Sequence, residues 1–563
     1  MKTSFRLASA AVLIGLAAAA PSPIEPVEKR LITSINTAQG TLIGTSLLGV
    51  ESWGGIPFAE APVGQLRLRP PVRSQKHLGR FDATGPGPSC PQMLFSTDGD
   101  IITQVLGDLI NNPFIQKTED CLTMRVQRPA GTKAGDKLPV LFWIFGGGFE
   151  FGSAQMYDGT SLVLNSVAQK KPFIFVSVNY RTGGFGFLGG KEVLADGASN
   201  LGLLDQRMGL EWVADNIAAF GGDPDKVTIW GQSAGAISVF DQMALYGGDN
   251  TYNGKPLFRG AVMNSGSLAP TDPVDCPKAQ AVYDQVVRNA GCSSAADTLA
   301  CLRGLPYARF QDAVNGVPGI LSYTSVALSY LPRPDGAVLP ESPEALAQKG
   351  RYAAVPMIIG DVEDEGTLFS LFQGNITTEA RLVDYLGRVF FNNADAAQMQ
   401  ALVATYPATL GAGSPFRTGL FNIVYPQYKR LAAILGDLVF TLTRRLFLEV
   451  TSQLHPEVPS WSYLASYDYG TPILGTFHAS DLIQFFYGIK PNYAAGAFQS
   501  YLTSFVASLD PNAGTPAAYP QWPQWKEGRQ LMQINANSGG FTPDNFRQDS
   551  YQWIKANVGV LRL

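Results

Sequence analysis

The chain has 563 residues, 45% of them hydrophobic and 16% charged, with 42 Lys and Arg against 46 Asp and Glu for a net charge of -4. This balance offers no basic surface for nucleic acid, and so much apolar content with so few charges excludes a disordered chain. A large core must be buried, while length alone leaves the number of domains open.

Lys2 and Arg6, an apolar run over residues 7–17 and small residues up to Ala20 read as a secretory signal peptide over residues 1–20. The run is too short to span a bilayer of about 30 Å as a helix, and no other uncharged stretch is long and apolar enough to do so, so no transmembrane segment is expected. Residues 21–30 form a Pro-rich piece ending in Lys29-Arg30, a dibasic pair of the kind that processing proteases cut. They are expected to be a propeptide, with the mature chain starting near Leu31.

Secretion gives the five cysteines an oxidising compartment, where thiols tend to pair and an odd count leaves one over. Cys292 and Cys301 close a short loop, and Cys90 and Cys121 enclose a longer segment free of other cysteines. Nested or neighbouring pairing is the simplest scheme, leaving Cys276 free, but the sequence alone does not fix the connectivity. Inside the 90–121 segment Ile101, Ile102, Val105, Leu106, Leu109 and Ile110 recur at helical spacing, with Thr103, Gln104, Asp108 and Asn111 opposite. That stripe predicts an amphipathic helix, which by itself means a helix packed on a core.

Past residue 120, short β-branched or aromatic runs end in Gly-rich loops and lead into helix-compatible stretches. Strands are expected over 140–145, 173–180, 227–230, 260–263, 355–359 and 461–466, and the alternation predicts an α/β fold with a mostly parallel sheet. No repeat or linker divides the mature chain, so residues 31–563 are expected to be one catalytic domain with insertions. The triplet Asn375-Ile376-Thr377 makes Asn375 a candidate glycosylation site.

The chemistry begins at Gly231-Gln232-Ser233-Ala234-Gly235, a G-x-S-x-G at the end of a predicted strand with a helix-like run over residues 234–245 behind it. A nucleophile elbow needs this context, because the two glycines allow the tight turn that lifts the serine hydroxyl above the sheet. A serine needs a base to attack near neutral pH, and the chain offers only His77, His455 and His478. His77 precedes the serine, against the order Ser, acid, His of hydrolases built this way. His455, beside Pro456, reads as an exposed loop residue, whereas His478 follows the last of the six expected strands, where ligands bind. The acid should lie on a loop between the two, and Asp361, Glu363, Asp364 and Glu365 all qualify, with nothing in their spacing to choose among them. Phe145-Gly146-Gly147-Gly148-Phe149 is suited to expose backbone N–H groups to an oxyanion, and the N–H of Ala234 adds another. A G-x-G-x-x-G at residues 184–189 is not followed by a convincing amphipathic helix and is set aside as a dinucleotide site.

These motifs together resemble the type-B carboxylesterase/lipase family and, within it, the Candida rugosa-like lipases and sterol esterases, over nearly the whole mature chain. Phe220-Gly221-Gly222-Asp223-Pro224 leading to Gly231–Gly235 is similar to that family's serine signature, and Glu119-Asp120-Cys121-Leu122 to its second signature. Asp364-Glu365-Gly366-Thr367 and Gly475-Thr476-Phe477-His478 resemble its acid and histidine loops. The resemblance implies an α/β-hydrolase fold and a triad of Ser233, Glu365 and His478, with Gly147, Gly148 and Ala234 as oxyanion donors. It also implies the pairs Cys90 with Cys121 and Cys292 with Cys301, and a lid over about residues 91–120 that carries the apolar stripe. Gln232 stands where most members have Glu, and Arg125 where the second signature has a small polar residue.

The expected protein is thus a secreted serine esterase with no metal or organic cofactor. Its partners are small-molecule esters or lipids, with a lipid interface touched by the lid. A short-chain carboxylesterase and a non-catalytic, cholinesterase-like adhesion module are the alternatives. The alcohol half of the substrate and the oligomeric state cannot be read from the chain.

Overall fold

The computed structural model describes residues 31–93, 116–487 and 492–563. The expected signal peptide, propeptide and apolar stripe, Ile101 to Ile110, therefore lie outside the described residues.

A 13-stranded sheet runs through the molecule. Its N-terminal edge is antiparallel, built from β1 (Leu31–Thr37), β2 (Gly40–Leu47) and β3 (Val50–Pro57), with β4 (Gly79–Asp82) beside β2. β5 (Thr123–Pro129) joins this edge to the parallel centre. The centre holds β6 (Leu138–Ile144), β7 (Ile174–Val178) and β8 (Gly222–Gln232). A separate hairpin, β9 (Thr251–Tyr252) with β10 (Lys255–Pro256), precedes β11 (Gly260–Asn264). The sheet continues in parallel through β11, β12 (Met357–Val362), β13 (Ser460–Ala465) and β14 (Gln530–Ile534), and β15 (Gly539–Pro543) closes it antiparallel.

Why the centre forms is visible in its composition. Every residue of β7, β11, β12 and β13 is buried, as a strand covered on both faces requires. All six expected strands fall here, although β8 begins five residues ahead of the expected 227. The antiparallel edge lies outside the six expected strands: β1 alternates exposed and half-buried positions, so its sequence carries few apolar residues to announce it.

Helices flank the sheet: α1 (Thr160–Ala168), α2 (Leu201–Asn216), α3 (Ala234–Ala244), α4 (Tyr428–Gly436), α5 (Leu442–Leu454) and α6 (Tyr493–Ser508). None of the helices among the described residues is long and apolar enough to cross a membrane. Beneath the ends of β6 and β8, Trp143 and Trp230 are register partners with ring centroids 4.3 Å apart, and Phe486 stacks on Trp230 at 4.9 Å. The Trp230 indole N–H donates to Asn264 Oδ1 at 3.2 Å, tying β8 to β11 at the strand ends. Rings of this size in close contact make a stiff platform.

Disulfides join Cys90 to Cys121 and Cys292 to Cys301, and Cys276 is free and buried. The base of the 90–121 segment is clamped to the body by buried contacts. Arg67 forms a two-pronged pair with Glu119 at 2.5 and 2.7 Å, and the Met93 N–H donates to Glu150 O at 2.8 Å. Arg125 pairs with Asp158 at 2.9 Å and donates to Ser52 Oγ at 3.1 Å.

Candidate active site

Ser233 sits at the junction of β8 and α3 with φ 57° and ψ -126°, a conformation that costs about 1–3 kcal/mol and persists only where its surroundings impose it. The surroundings here are close backbones. A Cβ on Gly231 would lie 2.2 Å from Gly235 O, and one on Gly235 would lie 2.1 Å from Ile144 O. The Ser233 N–H donates to Asn264 O at 2.9 Å, so the turn is pinned to β11 as well.

His478 lies on the loop after β13, where the sequence placed it, and is buried between the rings of Phe369 and Phe440, with centroids 5.0 and 4.6 Å away. Its Nδ1 is 2.5 Å from Glu365 Oε2. Glu365 Oε1 accepts the Val362 N–H at 2.9 Å, which fixes the carboxylate on the end of β12. Burial pushes the Glu365 carboxyl up, opposed by that N–H, and pushes the His478 ring down. His478 Nε2 faces the Gln232 side-chain nitrogen at 3.3 Å. An amide nitrogen can only donate, so Nε2 is an acceptor and the ring proton is on Nδ1 toward Glu365. That is the tautomer a general base requires. Among the described residues no hydrogen bond joins Ser233 to the ring; such contacts often tighten only with substrate in place.

The other carboxylates that sequence left open have different partners. Asp361 is held by Arg444, whose Nε is 2.6 Å away and which also forks onto Asp544 at 2.8 and 3.0 Å. Glu363 pairs at the surface with Arg417. Asp364 accepts from Ser414 Oγ and the Phe416 N–H at 2.8 Å and from the Thr476 N–H at 3.0 Å, binding the acid loop to the histidine loop. Only Glu365 meets the ring.

Gly147 and Gly148 follow β6 with φ 121° and 60°. Their N–H groups, and that of Ala234, donate to no acceptor among the described residues. Gly148, Ala234 and Ser233 line one narrow, mostly apolar cavity. Gly147 stands outside that lining. The remaining histidines are elsewhere: His77 is exposed on the antiparallel edge, and His455 is half-buried against Tyr352 rather than exposed. Residues 184–189 are all buried, leaving no open phosphate loop. Asn375 is exposed, with its amide 3.3 Å from the Tyr323 hydroxyl.

Sequence reasoning missed the contact of Gln232 with the ring, the clamp by Asp364, and Asp241 in the cavity wall. Asp241 could have been noticed as a lone carboxylate in the apolar run of α3.

The carboxylesterase family model matches residues 32–553. The secreted triacylglycerol lipase LIP1 of Gibberella zeae is 60% identical over 548 residues, covering 96% of this chain and 93% of that protein. Secreted lipase 1 of Botryotinia fuckeliana is 61% identical over 542 residues, covering 95% and 94% respectively. Among solved structures, that of Aspergillus niger EstA aligns with a TM-score of 0.80 at 28% identity, over 94% of this chain and 99% of that one.

Proposed function

The chain belongs to the carboxylesterase family, and from that membership we propose a secreted serine hydrolase of long-chain, water-insoluble esters, triacylglycerols first. The observation that carries the reading is the cavity. It begins at Ser233 between two sets of unengaged N–H donors, and its further wall is almost wholly apolar. Such a space suits an ester carbonyl at its mouth and a hydrocarbon chain behind it.

In this reading Ser233 Oγ attacks the carbonyl carbon while its proton passes to His478 Nε2, and Glu365 stabilises the resulting imidazolium. The N–H groups of Gly147, Gly148 and Ala234 hold the developing oxyanion. His478 then gives the proton to the departing alcohol oxygen, leaving an acyl-enzyme. Water attacks that ester by the same route in reverse, releasing the acid and restoring Ser233.

Residues 31–563 form the catalytic domain, and the stripe from Ile101 to Ile110 is the lid face that meets lipid. Support for the lid comes from the sequence pattern and from the clamped ends of its disulfide-bounded segment. Asn375 is a glycan site on an exposed loop. Hydrolysis of an emulsified long-chain triacylglycerol, a cholesteryl ester and a soluble butyrate ester, each per site titrated with a fluorophosphonate, tests the reading. A clear preference for the emulsified triacylglycerol is expected. Preference for the butyrate ester would instead identify a short-chain carboxylesterase.

A further inference from the structure

Ser233, Ala234, Ile237 and Asp241 lie on one face of α3 and its N-terminal turn, and all four line the cavity. The cavity therefore follows the helix away from the nucleophile. Ala269, Leu331, Pro343 and Leu563 contribute to its walls, which makes the polar exceptions conspicuous. Asp241 is fully buried, and neither of its carboxyl oxygens has a hydrogen-bond partner among the described residues. Thr271, 2% exposed, also lines the cavity, and its hydroxyl is unpartnered too.

Buried polar groups are nearly always paired with protein, ordered water or a ligand, so an acid and an alcohol left open on one cavity offer a place for a polar group to bind. Burial pushes the Asp241 carboxyl well above the usual range and so favours its protonated form, which can both donate and accept. Among the described residues no Lys or Arg lines the cavity, so an anionic group would be buried there without a counter-charge. A cation would require ionising Asp241 in apolar surroundings. A neutral hydroxyl, itself a donor and an acceptor, matches both side chains.

We propose that Asp241 and Thr271 form a subsite for a hydroxyl carried on the acyl chain, so that esters of hydroxylated long-chain acids are favoured substrates. This rests on the reading above, in which the acyl half occupies the cavity while the alcohol leaves through the mouth. The span from Ser233 to Asp241 along α3 is roughly 12 Å, the reach of about ten methylenes, which places the hydroxyl near mid-chain. A site built to bond a hydroxyl discriminates against the analogue lacking it, because its own polar groups are then left unpaired.

The test is a positional series: methyl esters of octadecanoic acid bearing one hydroxyl at successive carbons, and the unsubstituted ester, each measured as kcat/KM per titrated site. The parent protein should show a maximum near mid-chain, at least about tenfold above the unsubstituted ester. Asp241→Leu should abolish the maximum, and Asp241→Asn, whose amide still donates and accepts, should keep part of it. A series flat with position, or a maximum that survives Asp241→Leu, overturns the subsite; if the Leu variant does not fold, the parent series decides alone. No turnover of any ester in the series would overturn the proposed function itself, whereas equal turnover of all would sink only the subsite.

Discussion

Around the end of β12 the carboxylates Asp361, Asp364 and Glu365 are buried and each is gripped by directed donors, whereas on α3 Asp241 is as deeply buried and gripped by none. All are buried carboxyl side chains, but the consequences differ. In a low-dielectric interior a carboxyl fixed by donors becomes part of a rigid frame, able to orient a neighbour. One without donors is pushed by burial toward its neutral form and keeps its bonding capacity for whatever enters. In the proposed function the first region shapes the reaction, and in the proposed subsite the second shapes the choice of acyl chain.

The largest effects should come from the catalytic end. Ser233→Ala and His478→Ala should each lower kcat by on the order of a million-fold, since such groups act as a unit. Ser233→Ala should also abolish fluorophosphonate labelling. Near-normal turnover by the His478 variant, with loss in a His455→Ala control, would move the base to the other side of the molecule.

Within the acid loop the comparison sharpens. Glu365→Gln should lower kcat by on the order of ten-thousand-fold with little change in melting temperature, because the amide still fits but no longer stabilises the imidazolium. Asp364→Asn should do the converse. It replaces an acceptor of three directed bonds, so about 1–3 kcal/mol of stability should go, with a much smaller loss of rate. Thermal melts beside initial rates separate the two. If Asp364→Asn lost rate as severely as Glu365→Gln, Asp364 would share the work at the ring.

Arg444→Met should follow at about 3–5 kcal/mol, because it leaves the buried Asp361 without its cation and Asp544 with Arg445 alone. The measurement is the denaturation midpoint. A midpoint unchanged within error would mean that the two carboxyls are protonated and the guanidinium ornamental to the core.

These contrasts also show what could be read from the chain. The elbow and the histidine loop were legible because their geometry is encoded locally, in Gly231 and Gly235 around Ser233 and in a loop directly after a strand. The central strands were legible as apolar runs. The choice of Glu365 over Asp361, Glu363 and Asp364 was not available from spacing, since it depends on which side chain points at a ring 113 residues away. The resemblance to a family supplied that choice, and the geometry gives its physical reason. Asp241 escaped because its meaning lies in a cavity assembled from several distant segments, and β1 because an edge strand needs little apolar pattern.

The smallest effect tests the partner that sequence flagged as a departure. Gln232 is buried, and its amide nitrogen faces His478 Nε2 at 3.3 Å. Catalysis requires the ring neutral, so activity falls on the acid side as a proton is added to Nε2. An amide donor there competes with that proton, and burial of the ring works in the same direction. A carboxylate at the same place would accept from Nε2–H and favour the charged ring, raising its pKa. Gln232→Glu should therefore move the acidic limb of the kcat/KM profile to higher pH, by roughly one unit at most, because the new carboxylate is itself buried and resists ionising. Gln232→Met, which removes the donor without adding charge, should produce a smaller rise. If the Glu variant left the limb in place or moved it to lower pH, residue 232 would not be in electrostatic contact with the base, and the 3.3 Å approach would be packing alone.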